Sequence, residues 1–173
     1  PTPTATYQPA QIIDVSSSGA IGDKEAYWPN ISGDGNYVVY ASGSHNLSND
    51  IVRQSNNHIY DIFLFDVQNQ TTHLVSKLRA GSFEGMAWGP DISQDGKYVT
   101  FHSQGVFNVD NGEYSISCRQ SGGAPLCFSV IFFYNRVSDN LSRLFPYPYG
   151  QYAAPATTNN DYNATMSADG RYV

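Results

Sequence analysis

Side chains able to do chemistry are few in this chain of 173 residues, and their spacing does not gather them. The four histidines, His45, His58, His73 and His102, fall on separate segments, and no His-Glu-x-x-His pair is present to hold a catalytic zinc. No Gly-x-Ser-x-Gly elbow occurs, so the sequence lacks a serine nucleophile of that kind. His45 and His58 share one polar stretch, but a loop histidine without nearby thiols or acids is ordinarily just solvated. The reading is no catalytic residue, no metal site and no enzyme. Asn49, Asp50, Asn56, Asn57 and Asp61 could offer oxygens to calcium. The same side chains serve turns and caps more often, so no cofactor is expected, with calcium as the alternative.

Three further groups carry chemistry of other kinds. Tyr27, Trp28 and Trp88 are the binding candidates, a stacking platform for a glycan or a peptide. The competing use of these rings is packing between neighbouring structural units, where an indole still needs a partner for its N–H. Cys118 and Cys127 are separated by nine positions around Gly-Gly and Pro. That spacing suits a disulfide pinning a hairpin loop and lacks the paired short spacings of a zinc site. A disulfide implies an oxidising compartment. Asn46, Asn69 and Asn140 begin Asn-x-Ser/Thr sequons expected in loops or turns, whereas those at Asn30 and Asn163 fall on expected strands and read as chance matches.

What must position these groups is an internal repeat. Residues 29–42 read Pro-Asn-Ile-Ser-Gly-Asp-Gly-Asn-Tyr-Val-Val-Tyr-Ala-Ser, and residues 90–103 read Pro-Asp-Ile-Ser-Gln-Asp-Gly-Lys-Tyr-Val-Thr-Phe-His-Ser. Residues 163–173 give a third, shortened copy, Asn-Ala-Thr-Met-Ser-Ala-Asp-Gly-Arg-Tyr-Val. Ser-x-Asp-Gly-x-Tyr-Val thus occurs three times, and repetition at such a period decides an architecture. Asp-Gly between short apolar runs is a hairpin signal, because glycine accepts positive φ and aspartate bonds the turn backbone. The structural turn residues are Asp34 and Gly35, Asp95 and Gly96, and Asp169 and Gly170. Each complete copy is followed by a second apolar run, residues 60–67 and 128–135, then a polar turn and a short strand, residues 72–76 and 141–145. Four hairpin-linked strands without helical periodicity predict an all-β protein built of β-propeller blades.

The units resemble the PD40, or TolB-like, propeller repeats, in which Pro-x-(Ile/Trp)-Ser-x-Asp-Gly-x-x-(Val/Ile)-x-(Phe/Tyr)-x-Ser is followed by an Asp-(Ile/Val)-(Phe/Tyr)-(Leu/Val)-x-Asp strand. Residues 29–42, 61–66 and 74–76 follow that pattern. Residues 90–103 follow its first half, with Ser129 and Asn135 where the two aspartates are expected. The resemblance spans about residues 11–173 and speaks to fold more than to function, because the family includes periplasmic binding propellers, peptidase gating domains and surface proteins. It implies complete blades at about residues 28–77 and 88–146 and a partial blade at 160–173. Residues 11–16 would be an orphan outer strand, and residues 1–10 a Pro/Thr-rich tail or linker. The interval from Ser93 to Ser167 is longer than that from Ser32 to Ser93, so the second unit carries an insertion, and it contains both cysteines.

Composition narrows the partners. A net charge of −6 with only six scattered arginines excludes the basic patch that nucleic acid requires. No stretch approaches the length of an apolar membrane span. Rings of blades need about four to eight members, so two blades and two partial ones imply either a longer chain or blades shared between chains. The expected function is a non-enzymatic scaffold, extracellular, cell-surface or periplasmic, that binds protein or glycan. The alternative is a structural subunit that joins copies of itself through open strand edges into a ring or filament. A third reading is the gating propeller of a serine peptidase.

Overall fold

β-Branched and aromatic runs broken by polar turns offer no helical period, and the described residues contain strands and turns but no helix. The computed structural model describes residues 10–49, 60–77, 86–103, 118–121, 124–127, 130–144 and 164–173. The described residues form ten strands: β1 (Ala26–Ile31), β2 (Tyr37–Ser42), β3 (Asp61–Asp66), β4 (Thr71–Leu74), β5 (Ala87–Ile92), β6 (Tyr98–Ser103), β7 (Cys118–Ser121), β8 (Ala124–Cys127), β9 (Val130–Asn135) and β10 (Asn140–Arg143). They make an antiparallel sheet I in the order β1-β2-β3-β4 and an antiparallel sheet II in the order β10-β9-β6-β5. The hairpin β7–β8 stands in the connection between β6 and β9. The two four-stranded sheets are the two complete units expected from the repeat.

Their boundaries differ from expectation in ways that matter. Sheet I opens at Ala26 and sheet II at Ala87, rather than at 28 and 88, so Tyr27, Trp28 and Trp88 lie inside the first strands. Across the β2–β3 ladder Ser42 faces Asp61, and across β6–β9 Ser103 faces Val130. The counterpart of Asp61 is therefore Val130 and not Ser129, whereas Asn135 does replace Asp66. Both of the latter keep one job. Asp66 Oδ1 accepts the N–H groups of Gln68 and Asn69 at 3.0 and 2.9 Å, and Asn135 Oδ1 accepts those of Val137 and Ser138 at 3.0 and 3.3 Å. Either side chain closes the turn, so the aspartate is not required.

The Ser-x-Asp-Gly turn is built the same way three times. In the first copy the Ser32 hydroxyl donates to Asp34 Oδ1 at 2.6 Å and accepts the Tyr37 N–H at 3.0 Å. The Gly35 N–H returns to the Ser32 carbonyl at 2.9 Å. In the second, Ser93 donates to Asp95 at 2.9 Å and accepts the Tyr98 N–H at 3.0 Å. In the third, Ser167 donates to Asp169 at 2.7 Å and accepts the Tyr172 N–H at 3.0 Å. The three glycines sit at φ of 72°, 67° and 71°, a left-handed conformation that only glycine adopts freely. The aspartates titrate low. Bonds from the Ser32 hydroxyl and the Asn36 amide hold Asp34 below the usual carboxylate value. The Lys97 ammonium bond takes Asp95 down to about 2, and the Ser167 hydroxyl bond does so for Asp169.

The main core lies between the sheets. One side of sheet I contributes Val39, Ala41, Ile62, Leu64 and Val75; sheet II contributes Ala87, Ile92, Val99, Phe101, Phe132, Tyr134 and Leu141. The other side of sheet I carries Tyr40, Phe63, Phe65 and Leu74, roofed by Leu47, Ile13 and Val15. Among the described residues, residues 11–16, expected as an outer strand, pair only through a single bridge of Val15 with Ile21. They are held instead by side chains: Tyr40 Oη donates to the Ile13 carbonyl at 3.2 Å, and the Thr72 hydroxyl donates to that of Val15. Ile13 and Val15 nonetheless pack on the outer side of sheet I without strand pairing. Residues 164–173 form no strand either. The turn is present, and it is fixed to sheet II by the Gln94 N–H on the Ala168 carbonyl at 2.8 Å and the Met166 N–H on Asp91 Oδ2 at 2.6 Å.

At the turns the two sheets approach closely where the Tyr37 ring meets Gly96. A Cβ on Gly96 would stand 2.3 Å from Tyr37 Cδ2, whereas nothing among the described residues lies within 4 Å of that position on Gly35. Gly35→Ala should therefore destabilise by the backbone penalty alone, about 1–2 kcal/mol. Gly96→Ala adds an overpacking term of about 1–3 kcal/mol. Urea unfolding of the two variants measures the difference, and equal losses would remove the ring-on-glycine contact as a determinant of sheet packing.

Candidate functional site

Prolines shape the first strand of each sheet. Pro29 and Pro90 have no N–H for a ladder, and both ladders shift register at this point. Tyr27 faces Ala41 while Asn30 faces Val39, and Trp88 faces His102 while Asp91 faces Thr100. The residue before each proline takes a left-handed backbone. In sheet II it is Gly89, at φ 57°, the residue such a bulge favours. In sheet I it is Trp28, at φ 51°. Aligning the copies on their prolines puts Trp28 opposite Gly89 and Tyr27 opposite Trp88, so the two tryptophans are not equivalent positions. A bulky side chain in this conformation costs on the order of 1–2 kcal/mol.

Burial offsets that cost only in part. Trp28 is 47% exposed, and Tyr27 beside it is exposed as well. The two rings form a cluster with Tyr60, with centroids 5.6 Å apart for Tyr27 and Trp28, 5.4 Å for Tyr27 and Tyr60, and 6.0 Å for Trp28 and Tyr60. Tyr60 meets both neighbours edge-on, at 86° and 81°. Its hydroxyl donates to Glu25 Oε1 at 3.3 Å, and burial together with the Glu25 carboxylate raises its phenol above the ordinary value. The cluster is an aromatic knob with a carboxylate at its foot. It offers apolar ring faces for stacking and an acceptor for a hydroxyl or an amide. Sequence motifs alone do not point to Tyr60 and Glu25. Pairing the tryptophans by type conceals the glycine alignment that singles out Trp28.

Trp88 takes no part in this knob. Its ring stacks on His102 at 6.4 Å, and His102 is 1% exposed. His102 Nε2 accepts the Ala164 N–H at 2.7 Å, which places the imidazole proton on Nδ1, and burial holds its pKa below the ordinary value. The histidine is a structural dock for residues 164–173. Of the other histidines, His45 Nδ1 lies 3.8 Å from Asp23 Oδ2 and His73 Nε2 lies 3.2 Å from the Thr71 hydroxyl. His58 lies outside the described residues.

The remaining candidates are placed as follows. Asp34, Gly35, Asp95, Gly96, Asp169 and Gly170 form the turns at the end of the sheets opposite the knob. Cys118 and Cys127 face each other across β7–β8. Asn46 is exposed, and its Nδ2 donates to the Ile21 carbonyl at 2.8 Å. Asn69 lies in the β3–β4 turn, and its Nδ2 donates to Asp66 Oδ2 at 2.9 Å. Asn140 is half-buried within β10 rather than in a loop, with Oδ1 enclosed. Asn30 lies in β1 and bonds Asp91 Oδ1 at 2.6 Å, and Asn163 is outside the described residues. Among the calcium candidates, Asp61 is buried and accepts the Ser76 hydroxyl at 2.9 Å, Asn49 is exposed, and Asp50, Asn56 and Asn57 are outside the described residues. No group of three or more His, Cys, Asp or Glu able to hold a metal occurs among the described residues.

A cleft of about 320 Å³ runs along the seam between the sheets, lined in part by Tyr37, His73, Lys77, Tyr134, Arg136 and Asp139. Several of its polar groups are hydrogen-bonded within the protein. Lys77 Nζ lies 2.8 Å from Asp139 Oδ2, the Tyr134 hydroxyl donates to Asp139 Oδ1 at 2.8 Å, and Arg136 Nε donates to the Gly96 carbonyl at 2.9 Å. The seam is a structural contact. No described helix is long and apolar enough to cross a membrane. No family model and no curated protein matches this chain.

The His102 dock makes stability depend on pH with a defined sign. Its folded pKa lies below the unfolded value near 6.5, so the unfolded chain binds the proton first. Stability is full above that value, falls as pH drops below it and levels off below the folded pKa. Urea midpoints across this range should show the step, and His102→Gln, whose carbonyl can still accept the Ala164 N–H, should remove it. A step that persists in the variant would assign the effect to another group.

Proposed function

We propose that this chain belongs to a non-enzymatic β-propeller-type scaffold that binds a protein or glycan partner through Tyr27, Trp28 and Tyr60. One observation carries the reading: Trp28 occupies, half-exposed and at a backbone cost, a position where the sister unit uses glycine. Strain at a ring that stays half-exposed is accounted for by contact with something outside the chain. The knob lies at the end of sheet I where the connections leave, the end at which loops vary most freely. Its edge-on rings suit the apolar face of a sugar or a flat peptide segment, with Glu25 accepting a hydroxyl or amide proton.

The test is a single substitution read two ways. Trp28→Gly should keep or raise stability, by up to about 1–2 kcal/mol, while abolishing binding of an oligosaccharide or peptide that quenches or shifts tryptophan fluorescence in the wild type. Destabilisation would make Trp28 a packing residue, and retained binding would place the contact elsewhere.

An extracellular, cell-surface or periplasmic setting belongs to the same proposal. The backbone register that sets Cys118 opposite Cys127 supports a disulfide across β7–β8, a bond that persists in oxidising compartments. Alkylation of the natural, unreduced protein should label neither cysteine, and labelling of both would place the chain in a reducing compartment.

A further inference from the structure

Aspartate followed by glycine is the pair at which a peptide chain isomerises most readily. The glycine nitrogen attacks the aspartate Cγ, a C–N bond forms, and a carboxyl oxygen leaves as water. A second water reopens the five-membered imide at either carbonyl, giving back aspartate or leaving isoaspartate, whose main chain runs through the side-chain carbonyl. Glycine has no side chain to hinder the attack, yet the left-handed turn favours it. The vulnerable pair therefore stands at three turns, Asp34-Gly35, Asp95-Gly96 and Asp169-Gly170. Isoaspartate there would add one methylene to the main chain between the serine and the tyrosine. In the first two copies the serine-to-tyrosine bond spans that length. It sets the Tyr37 ring against Gly96 of the second turn and the Tyr98 ring against Gly170 of the third.

Each turn occupies both partners of this reaction. The nitrogen is engaged, because Gly35, Gly96 and Gly170 donate their N–H to the carbonyls of Ser32, Ser93 and Ser167 at 2.9, 3.0 and 2.8 Å. Oδ1 of each aspartate accepts the serine hydroxyl and also the N–H two positions on, the latter at 3.0, 3.1 and 3.2 Å. The residue after the glycine takes the other oxygen. Asn36 Nδ2 donates to Asp34 Oδ2 at 2.8 Å, Lys97 Nζ lies 2.8 Å from Asp95 Oδ2, and Arg171 Nε donates to Asp169 Oδ2 at 2.5 Å. An amide, an ammonium and a guanidinium thus do one job at one position of the repeat. The imide forms from the protonated carboxyl. At about pH 5 a carboxyl that titrates at about 2, as in Asp95 and Asp169, is protonated on the order of a hundredth as often as one at the ordinary 3.8.

We propose that the side chain following the turn glycine, Asn36, Lys97 or Arg171, is a protective clamp that closes the second carboxylate oxygen and keeps the repeated Asp-Gly turns from isomerising. The serine hydroxyl alone would leave that oxygen to solvent protons. With the clamp in place, imide formation requires that the serine bond, the clamp and the glycine N–H bond all break together. This role lies wholly within the chain. It does not involve the Trp28 knob, which lies at the opposite end of sheet I, so the two proposals stand or fall separately.

Isoaspartate counted turn by turn, by peptide mapping of the folded chain aged in mildly acidic buffer, tests the clamp. All three Asp-Gly pairs should isomerise at least about tenfold more slowly than in the same chain unfolded in guanidinium chloride. Lys97→Ala removes one donor and leaves the Ser93 bond. It should raise isoaspartate at Asp95-Gly96 several-fold while the other two turns keep the wild-type rate, and Lys97→Arg should restore protection. Asn36→Ala should act in the same way on Asp34-Gly35 alone. Equal rates in the folded and unfolded wild type, or a wild-type rate at Asp95-Gly96 in Lys97→Ala, would overturn the proposal. So would a rise shared by all three turns, which traces to opening of the whole fold rather than to the lost donor.

Discussion

The structure hangs on the serine hydroxyl of the repeated turn. It donates to the aspartate two positions on and accepts the amide of the tyrosine five positions on, in all three copies. This bifunctional use of one oxygen fixes where the second strand of each unit begins, and so fixes where the tyrosine ring stands. The ring then finds the glycine of the following turn. A local hydrogen bond, set by the short Ser-x-Asp-Gly motif, thereby determines a contact between units far apart along the chain. Alanine at Ser32 or Ser93 would leave both the tyrosine amide and the aspartate without that hydroxyl, although the hydrophobic pattern of the strands would be untouched.

The sheets share this scaffold and differ where function is proposed. Sheet II is covered on the side of β5 by sheet I and by residues 164–173, and it places glycine at the bulge and uses Trp88 to pack on His102. Sheet I has the same bulge with its first strand exposed along its whole length, and it places tryptophan there. A residue type that the backbone disfavours at an exposed site points outward, toward a partner. The seam between the sheets shows the opposite arrangement, with charged and hydroxyl groups bonded to one another rather than turned toward a ligand.

The four strands of each complete unit, their antiparallel order and the turn positions were legible in the sequence because each rests on a local signal: Asp-Gly for the hairpin, alternation of Val with Tyr or Phe for the strands, and the period of the repeat. The misreadings have a common cause. The placing of Ser129 at the position of Asp61 followed distance along the chain, whereas structure follows register, and register is set by ladder pairing across the strands. The strand expected at residues 11–16 failed for a related reason. Its apolar pattern is right and its contacts are made, but among the described residues only Ile21 pairs with it, and a strand exists only where a partner supplies the hydrogen bonds. The Tyr60 and Glu25 contributions to the knob come from residues that no short motif links to Trp28, so only the folded sheet brings them together.

The insertion in the second unit has a consequence for how such a fold can change. Ser93 and Ser167 stand farther apart in sequence than Ser32 and Ser93. The serine–aspartate bonds of the three turns are nonetheless 2.6, 2.9 and 2.7 Å. In both joints a Cβ placed on the glycine would stand 2.3 Å from the tyrosine ring. Length added at one end of a sheet leaves no trace at the other. The unit therefore separates a constant end, where neighbours are registered, from a permissive end, where segments of different size can be grafted. A chain of this kind can acquire new binding loops one unit at a time without renegotiating the joints that hold the units in line.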